Sequence, residues 1–433
     1  MSRIKDQQHF DIAIIGAGAS GMMAAFWASK KGARVAIIDR NEEVGKKVSI
    51  SGKGRCNISQ ENLTKENLVE AYGKKGRFLF SAFHQFDVPR TKKIFEELGI
   101  KLKTERGGRI FPVSNSAEEV IETMKKALVQ NGVVFLQKTK PESFEIKNGK
   151  IEKIITRKRE ISADQFIICT GGKSYPTTGS TGDGYLWAKE FGHTIEKPVP
   201  ALTPIKTINK WGHELQGISL KNVLLSVYQN EKKQAERFGE MLFTHYGLSG
   251  PIVLDISKEV GELLKKGEVK ISIDLKPALE CKELDKRIQK DFEKYHTRKF
   301  INSLDDLLPH KMIPVIVKIS KIDPDKKCSE ISKNERKALT YLLKNLTLNV
   351  DSLVGFDNAI ITSGGIDLGE IDQKTMQSKK INNLYFAGEI LDLDGPTGGY
   401  NLQICWTTGF VAGNSAASSC ENFSGKKQKK ENY

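Results

Sequence analysis

Cysteine is scarce and scattered in this 433-residue chain. The six thiols stand at 56, 169, 281, 328, 405 and 420, and no two form a C-x-x-C pair or a metal-type spacing. That excludes a disulfide framework and a cysteine-built metal centre, and it fits reduced thiols in a cytosolic protein. Long apolar runs are missing as well, so no membrane span is expected. The start, MSRIKDQQHFDIAIIG, passes from a short polar leader into a strand-like run without the apolar core and cleavage site of a signal peptide. A soluble, cytoplasmic protein is the expectation. A concentrated basic face is also lacking: the net charge of +15 is spread along the chain, and its densest lysine run, Gly425 to Lys430, reads as a solvated tail. Binding to a phosphate backbone draws on clustered Lys and Arg, so a nucleic-acid partner is disfavoured. The length calls for two or three compact units.

What the chain does have begins at residue 10. Phe10 to Ile15 reads as a buried strand, Gly16-Ala-Gly18-Ala-Ser-Gly21 as the turn after it, and Met22 to Ser29 as a helix. This is G-x-G-x-x-G in its strand-turn-helix setting. Gly16 permits the tight turn, Gly18 lets backbone approach a pyrophosphate, and Gly21 lets helix pack on strand. The amides of the helix start, at Ala19 and Ser20, then face phosphates, where the helix dipole favours negative charge. A second strand, Arg34 to Ile38, ends in Asp39 and Arg40, and a carboxylate at that distance from the glycines accepts hydrogen bonds from ribose. Together these point to a dinucleotide, NAD or FAD.

The next stretch, Gly45-Lys-Lys-Val-Ser-Ile-Ser-Gly-Lys-Gly-Arg-Cys-Asn-Ile-Ser59, crowds four cations, three glycines and one thiol into fifteen residues. It admits three uses: a basic loop on RNA, a redox-active cysteine, or a clamp on an anionic cofactor. Its place just past Asp39 favours the clamp and an extended FAD. Lys46 and Lys47 are then expected near the pyrophosphate, with Ser51 in the same loop. Gly52 and Gly54 pass close to a flat ring, and Arg55, Cys56 and Asn57 border the isoalloxazine. Cys56 has no second thiol nearby, which argues against dithiol chemistry.

At this loop the sequence resembles the bacterial NAD(P)/FAD-dependent oxidoreductases that include aminoacetone oxidase and the 3-dehydro-bile acid reductases. Two further blocks carry the resemblance. One is Thr170-Gly-Gly-Lys-Ser-Tyr-Pro-Thr-Thr-Gly-Ser-Thr-Gly-Asp-Gly184. The other is Ile361-Thr-Ser-Gly-Gly-Ile366, continued by Thr375 to Lys379, Leu384 to Glu389 and Asp394 to Leu402. The likeness spans nearly the whole chain. It implies a glutathione-reductase-like α/β fold: a Rossmann-like FAD-binding domain with an inserted β-barrel-like domain that carries a helical sub-insertion.

In the first block, Gln165 to Gly172 reads as a strand entering a glycine turn. Thr170, Gly171, Gly172, Tyr175 and Gly182 are placed near the cofactor, Cys169 in the core, and Thr181 as a helix cap. In the second, Gly388 and Glu389 follow a short strand, and the resemblance assigns Glu389 to the ribityl chain over a solvated surface acid. Gly398, Gly399, Tyr400, Asn401 and Leu402 open a helix that runs toward Ala417, its N-terminus set to stabilise negative charge on the flavin. Cys405 and Trp406 read as packing. Aligning Gly132-Val-Val-Phe with the family's third strand puts Pro141 where adenine is bound, and proline has no N–H to offer there.

The composition sets the FAD-binding domain at 1–195 and 355–433, the barrel-like insertion at 196–275 and 346–354, and helices at 276–345. In the insertion, His245 and Tyr246 of Phe243-Thr-His-Tyr-Gly-Leu-Ser-Gly-Pro251 are the candidate proton donors, with a structural turn as the alternative. The activity implied is hydride transfer between FAD and a small organic substrate. NAD(P)H is the reductant by resemblance, although no second complete G-x-G-x-x-G is present for it. An amine oxidase using oxygen, a flavin-dependent RNA-modifying enzyme and a non-catalytic flavoprotein are the alternatives.

Overall fold

Strand β1 (Gln7–Ile15), helix α1 (Ala19–Lys30) and strand β2 (Val35–Ile38) open the fold, and the second half of β1, from Ile12 to Ile15, and all of β2 are continuous runs of buried apolar residues. Such runs suit parallel strands covered on both faces. The computed structural model describes residues 7–61 and 64–430. The first six residues, and with them most of the polar leader, lie outside the described residues. Two compact units are present: Met1–Pro200 with Ile360–Tyr433, and Ala201–Ala359.

The first unit is built on a seven-stranded sheet. β1 pairs in parallel with β2 on one side and with the strand Glu160–Ile168 on the other. Val134–Leu136 joins in parallel beyond β2, and Leu384–Phe386 joins in parallel beyond Glu160–Ile168. The registers align one row of residues across all five strands: Leu136, Ile38, Ile15, Ile168 and Phe386. Each strand therefore ends at the same edge. An antiparallel hairpin, Pro141–Lys147 with Lys150–Thr156, pairs with only the first half of Glu160–Ile168, which leaves the second half free for Leu384–Phe386.

α1 is apolar on all sides and buried along most of its length. Its partner is the C-terminal helix Tyr400–Lys430. Gly409 and Gly413 of that helix lie against the backbone oxygens of Ser20 and Ala24, leaving no room for a Cβ at either position. The helix runs through Lys430. A helix that is already nucleated and packed propagates at little cost.

The second unit is a closed antiparallel barrel of six strands, in the order Ile205–Thr207, Gly247–Ser249, Lys232–Thr244, Ser219–Gln229, Lys270–Asp274 and Leu346–Leu353. The helices Cys281–Lys294, Ile313–Ser320 and Lys333–Lys344 lie between its last two strands in sequence. Barrel residues such as Leu225, Ile271 and Leu348 share one apolar cluster with Leu284, Ile316 and Leu339 from these helices. Among the described residues no helix is long and apolar enough to cross a membrane.

Candidate functional site

The common edge of the parallel strands gathers the glycine motifs. Gly16 follows Ile15, Asp39 follows Ile38, Thr170 to Gly172 come just after Ile168, and Gly388 and Glu389 come just after Phe386. Their order in space is set by strand pairing, not by nearness in sequence. Crevices beyond the carboxyl ends of parallel strands, where connections diverge, are where α/β sheets take ligands.

Gly16 has φ +109°, and a Cβ there would lie within 2.8 Å of the Cys169 carbonyl carbon, so the turn requires glycine. Gly21 packs as closely on the Gly16 carbonyl. Gly18 differs: nothing lies within 4 Å of the position its Cβ would take. α1 starts there with no side-chain cap and no acidic residue in its first turn, and Ala19 and Ser20 are buried. An uncapped helix start beside open space at Gly18 fits a phosphate group.

Asp39 holds this turn together. Its Oδ2 accepts from the Ala17 N–H at 2.7 Å and its Oδ1 from the Asn41 N–H at 2.7 Å. Arg40 is turned to the helix Asp183–Glu190, where it pairs with Asp183 at 2.9 Å and donates to the Thr181 hydroxyl. Thr181 is not the cap expected of it. The capping position is Gly182, in the left-handed region at φ +84°, and the Thr181 hydroxyl bonds to Asp183 instead.

The 45–59 loop is tied to the fingerprint by one bond, from the Gly45 N–H to the Ala17 carbonyl at 2.8 Å. Lys46–Ser49 is a single helical turn whose end is closed by the Ser51 hydroxyl on the Val48 carbonyl. Lys46 is exposed. Lys47 is not a free cation: its ammonium sits 2.6 Å from both the Ser174 hydroxyl and a Glu389 oxygen. Past Ser51 the backbone is left-handed at Gly52, Lys53, Gly54 and Cys56, and two of these four are not glycine. Non-glycine residues held there cost about 1–3 kcal/mol each and cluster at functional sites.

Three side chains expected at the cofactor are held by the protein itself. Cys56 has no exposed surface, and burial pushes its thiol up to about 12, so it stays protonated and faces the core. A buried, protonated thiol is a poor nucleophile, which counts against the redox-thiol use of the loop. The Arg55 guanidinium is committed to Glu105 at 2.6 Å and to the face of Phe111, 3.9 Å from the ring centroid. Glu389 is mostly buried, which sets aside the solvated surface acid. Its Oε1 accepts from the Ser174 hydroxyl at 2.9 Å and the Thr362 N–H at 2.7 Å, while Oε2 meets Lys47. Spacing cannot show such pairings: Lys47 and Glu389 stand 342 positions apart, and Ser174 and Glu389 215.

Several glycines serve packing. Gly172 lies against Thr362, and Gly388, at φ +83°, lies against the Ser20 side chain and donates its N–H to the Thr408 hydroxyl at 2.9 Å. Gly171 and Tyr175 are left-handed, at φ +70° and +50°, and the Tyr175 carbonyl accepts from Thr178. Gly398 and Gly399, also left-handed, bring the C-terminal helix onto the backbone of Ser59. There Asn401 is a loop fastener, bonded to both polar backbone groups of Gly395 and to the Pro396 carbonyl. Leu402 is half-buried, and the Tyr400 ring packs edge-on against Tyr72, which donates to the Tyr400 carbonyl at 3.0 Å. Trp406 is buried, its indole N–H on the Ile58 carbonyl.

Pro141 heads the hairpin, opposite Thr156, and is buried. His245 and Tyr246 belong to the second unit, at the turn before Gly247–Ser249, with their rings edge-on at 4.6 Å and His245 exposed. Burial also pushes the Cys169 and Cys405 thiols up to about 12.

FAD fits this edge on three counts. Gly18 leaves the space a pyrophosphate needs, α1 offers uncapped amides, and the Oδ1 of Asn57, Oε1 of Gln60 and Oγ1 of Thr170 are buried without a protein partner. Buried polar groups are almost always satisfied, so three orphans in the segments that border the edge are what a bound polar ligand would complete. Gln60 and Tyr72 escaped the sequence analysis because neither sits in a recognisable motif, whereas Ser174 and Thr362 lie inside the quoted blocks and were given no role there.

A family model described as the HI0933-like protein Rossmann domain matches residues 10–415. A 3-dehydro-bile acid delta(4,6)-reductase of Clostridium scindens is 32% identical over 94% of this chain and 98% of its own length. A ribosomal RNA dihydrouridine synthase of Escherichia coli is 29% identical over 93% of this chain and 97% of its own length. The solved 3-ketosteroid-delta4-(5alpha)-dehydrogenase of Rhodococcus jostii RHA1 superposes with a TM-score of 0.54 at 13% identity, over 96% of this chain and 98% of that one, a likeness of fold.

Proposed function

We propose that this chain, which belongs to the HI0933-like Rossmann-domain family and is a flavoprotein oxidoreductase, reduces a carbon–carbon double bond conjugated to a carbonyl, with NAD(P)H as the source of reducing equivalents. The observation that carries the reading is the shared edge at which the Gly16–Gly21 turn, Asp39, the 45–57 loop and Gly388 converge around the open space at Gly18. The bond class is supported by the relatives' names. A delta(4,6)-reductase of a 3-dehydro-bile acid and a dihydrouridine synthase both denote saturation of a double bond that lies beside a carbonyl.

FAD, when bound, supplies hydride chemistry. The rest is the work of side chains and backbone. Amides at the start of α1 hold the pyrophosphate, and Asp39 fixes the turn that presents them while keeping lone pairs for a ribose hydroxyl. Lys47 and Glu389 brace the 45–57 loop against the Thr170–Ser174 turn, so the left-handed backbone of Gly52 to Cys56 keeps its shape. The orphaned oxygens of Asn57, Gln60 and Thr170 take polar atoms of the cofactor. His245 and Tyr246 are the proposed proton donors for the carbon next to the carbonyl.

Two substrates share this chemistry, a steroid-like enone and a uracil base in RNA. The enone is the first reading. The RNA reading is favoured by relatives named ribosomal RNA dihydrouridine synthase in two organisms and by the net charge of +15. The test is anaerobic NADH or NADPH oxidation by purified flavin-loaded protein, with a 3-keto-4-ene steroid or unmodified ribosomal RNA as acceptor. A product two mass units heavier is expected. Turnover of amines with oxygen, without NAD(P)H and with neither acceptor reduced, would overturn the proposal.

A further inference from the structure

The helices Cys281–Lys294 and Lys333–Lys344 of the second unit pack on one another through an ion pair, Arg336 on Asp285 at 2.9 Å, and through Leu284, Ile288, Leu339 and Leu343. Each acid on the two helices has a partner. Asp291 takes Arg287, Glu335 takes Lys326, Glu283 accepts the Glu280 N–H and Glu293 accepts Gln289. Lys294 and Lys344 are spoken for by Asp306 and Asp274. Five exposed lysines are left over: Lys282, Lys286 and Lys290 on the first helix, Lys333 and Lys337 on the second. Among the described residues none of the five takes a hydrogen bond or an ion pair.

Their spacing is regular. Lys282, Lys286 and Lys290 recur every four residues, about 6 Å along the axis, and so form one stripe. Lys333 and Lys337 follow the same interval, and both lie close enough to Asp285 of the first helix to help hold its carboxyl low, after the larger effect of Arg336. The second pair therefore lies on the side of its helix that meets the first, and all five lysines are exposed on the packed pair. The next position in the second series is Tyr341, 68% exposed. A flat ring beside unpaired cations is the combination that stacks an unpaired base while the lysines meet phosphates. Glu283 and Glu293 accept only from uncharged donors and keep their charge, so the five lysines outnumber the unpaired acids and leave the face net positive, which is costly for a surface with no partner, since like charges repel. A polyanion removes that cost.

We infer that this two-helix face is a docking surface for the backbone of an RNA, with Tyr341 as a base-stacking position; the inference rests on the RNA form of the function proposed above. The test uses the full flavin-loaded chain and unmodified transcribed ribosomal RNA, with binding measured across a KCl series. The K282E/K286E/K290E variant should bind at least about 10-fold more weakly, and its plot of log affinity against log salt should flatten by about 2, the share of three phosphate contacts. Its flavin content and its NAD(P)H-driven flavin reduction should match the parent. The corresponding triple arginine variant, which keeps the charge, should bind like the parent, and Tyr341→Ala should weaken binding a few-fold without altering the salt slope. If the glutamate variant binds as the parent does while the parent forms dihydrouridine, the face is wrong and the RNA reading stands. If the parent neither binds nor reduces RNA, both fall.

Discussion

Lys47 and Glu389 offer the sharpest test of how the site is held. Their charges are 2.6 Å apart, with 23% and 14% of the side chains exposed, and Glu389 also receives Ser174 and the Thr362 N–H. Replacing Lys47 by Met leaves a mostly buried carboxylate short of its cation. Removing one partner of a fully buried pair costs about 3–5 kcal/mol, and the residual exposure here lowers that to about 2–3 kcal/mol. Replacing Glu389 by Gln strands the ammonium in turn. The double variant strands neither charge, because a Gln carbonyl still accepts the Thr362 N–H while its amide donates to Ser174. It should therefore cost about 2 kcal/mol less than the sum of the single changes. Urea unfolding followed by tryptophan fluorescence measures this in a Trp211→Phe background, where the remaining tryptophans, Trp27, Trp187 and Trp406, all report on the first unit. Additivity within about 0.5 kcal/mol would show that the pair is a passive surface contact and refute the bracing role.

Two other outcomes follow from the geometry. Gly16→Ala should prevent folding of the first unit, because the added carbon meets the Cys169 carbonyl and φ is +109°. Gly18→Val should fold with an unchanged urea midpoint in the absence of flavin and yet lose FAD, since only a ligand competes for that space; retained flavin in the Gly18 variant would break the assignment of the turn. Acid should destabilise the first unit in two steps. Burial lowers the His193 imidazole below its ordinary range although Glu370 stands 3.1 Å away, so the folded form resists protonation and stability falls as pH drops below about 6.5. Burial of Glu370, which alone would raise it, is outweighed by Lys380 and Thr194, which hold it at about 2. Its contribution is therefore complete above the ordinary glutamate value and lost as pH falls from 4.5 toward 2. Thermal melts from pH 7 to pH 3 should show both, and Glu370→Gln should flatten the lower step.

His193 shows where reading a sequence stops. Its Nδ1 meets Glu370 and its Nε2 meets the Ser378 hydroxyl at 2.8 Å, the arrangement of a serine nucleophile with its base and orienter. Yet His193 and Ser378 are buried, and the Ser378 oxygen already accepts the N–H groups of Lys380 and Ile381. The trio stitches loops and has no path for a substrate. No spacing marks these three residues, and only burial separates their structural use from a catalytic one.

The Gly16–Gly21 turn was legible for the opposite reason, because a positive φ and a missing Cβ restrict the residue type itself and so leave a mark in the letters. Asp39 was legible in position, at the end of β2, but not in use, since its bond to the Ala17 N–H depends on the pairing of β1 with β2. The cations of the 45–59 loop were the least legible. A lysine in sequence is a charge of unknown destination, and here Lys47 goes to Glu389, Arg55 goes to Glu105 and Phe111, and Lys46 stays in solvent. Those destinations are fixed by strands that meet across the sheet and by the helix that closes over them. The loop is thus shaped by charges spent inside the protein, and what it presents to a ligand is chiefly left-handed backbone and the unpaired oxygen of Asn57.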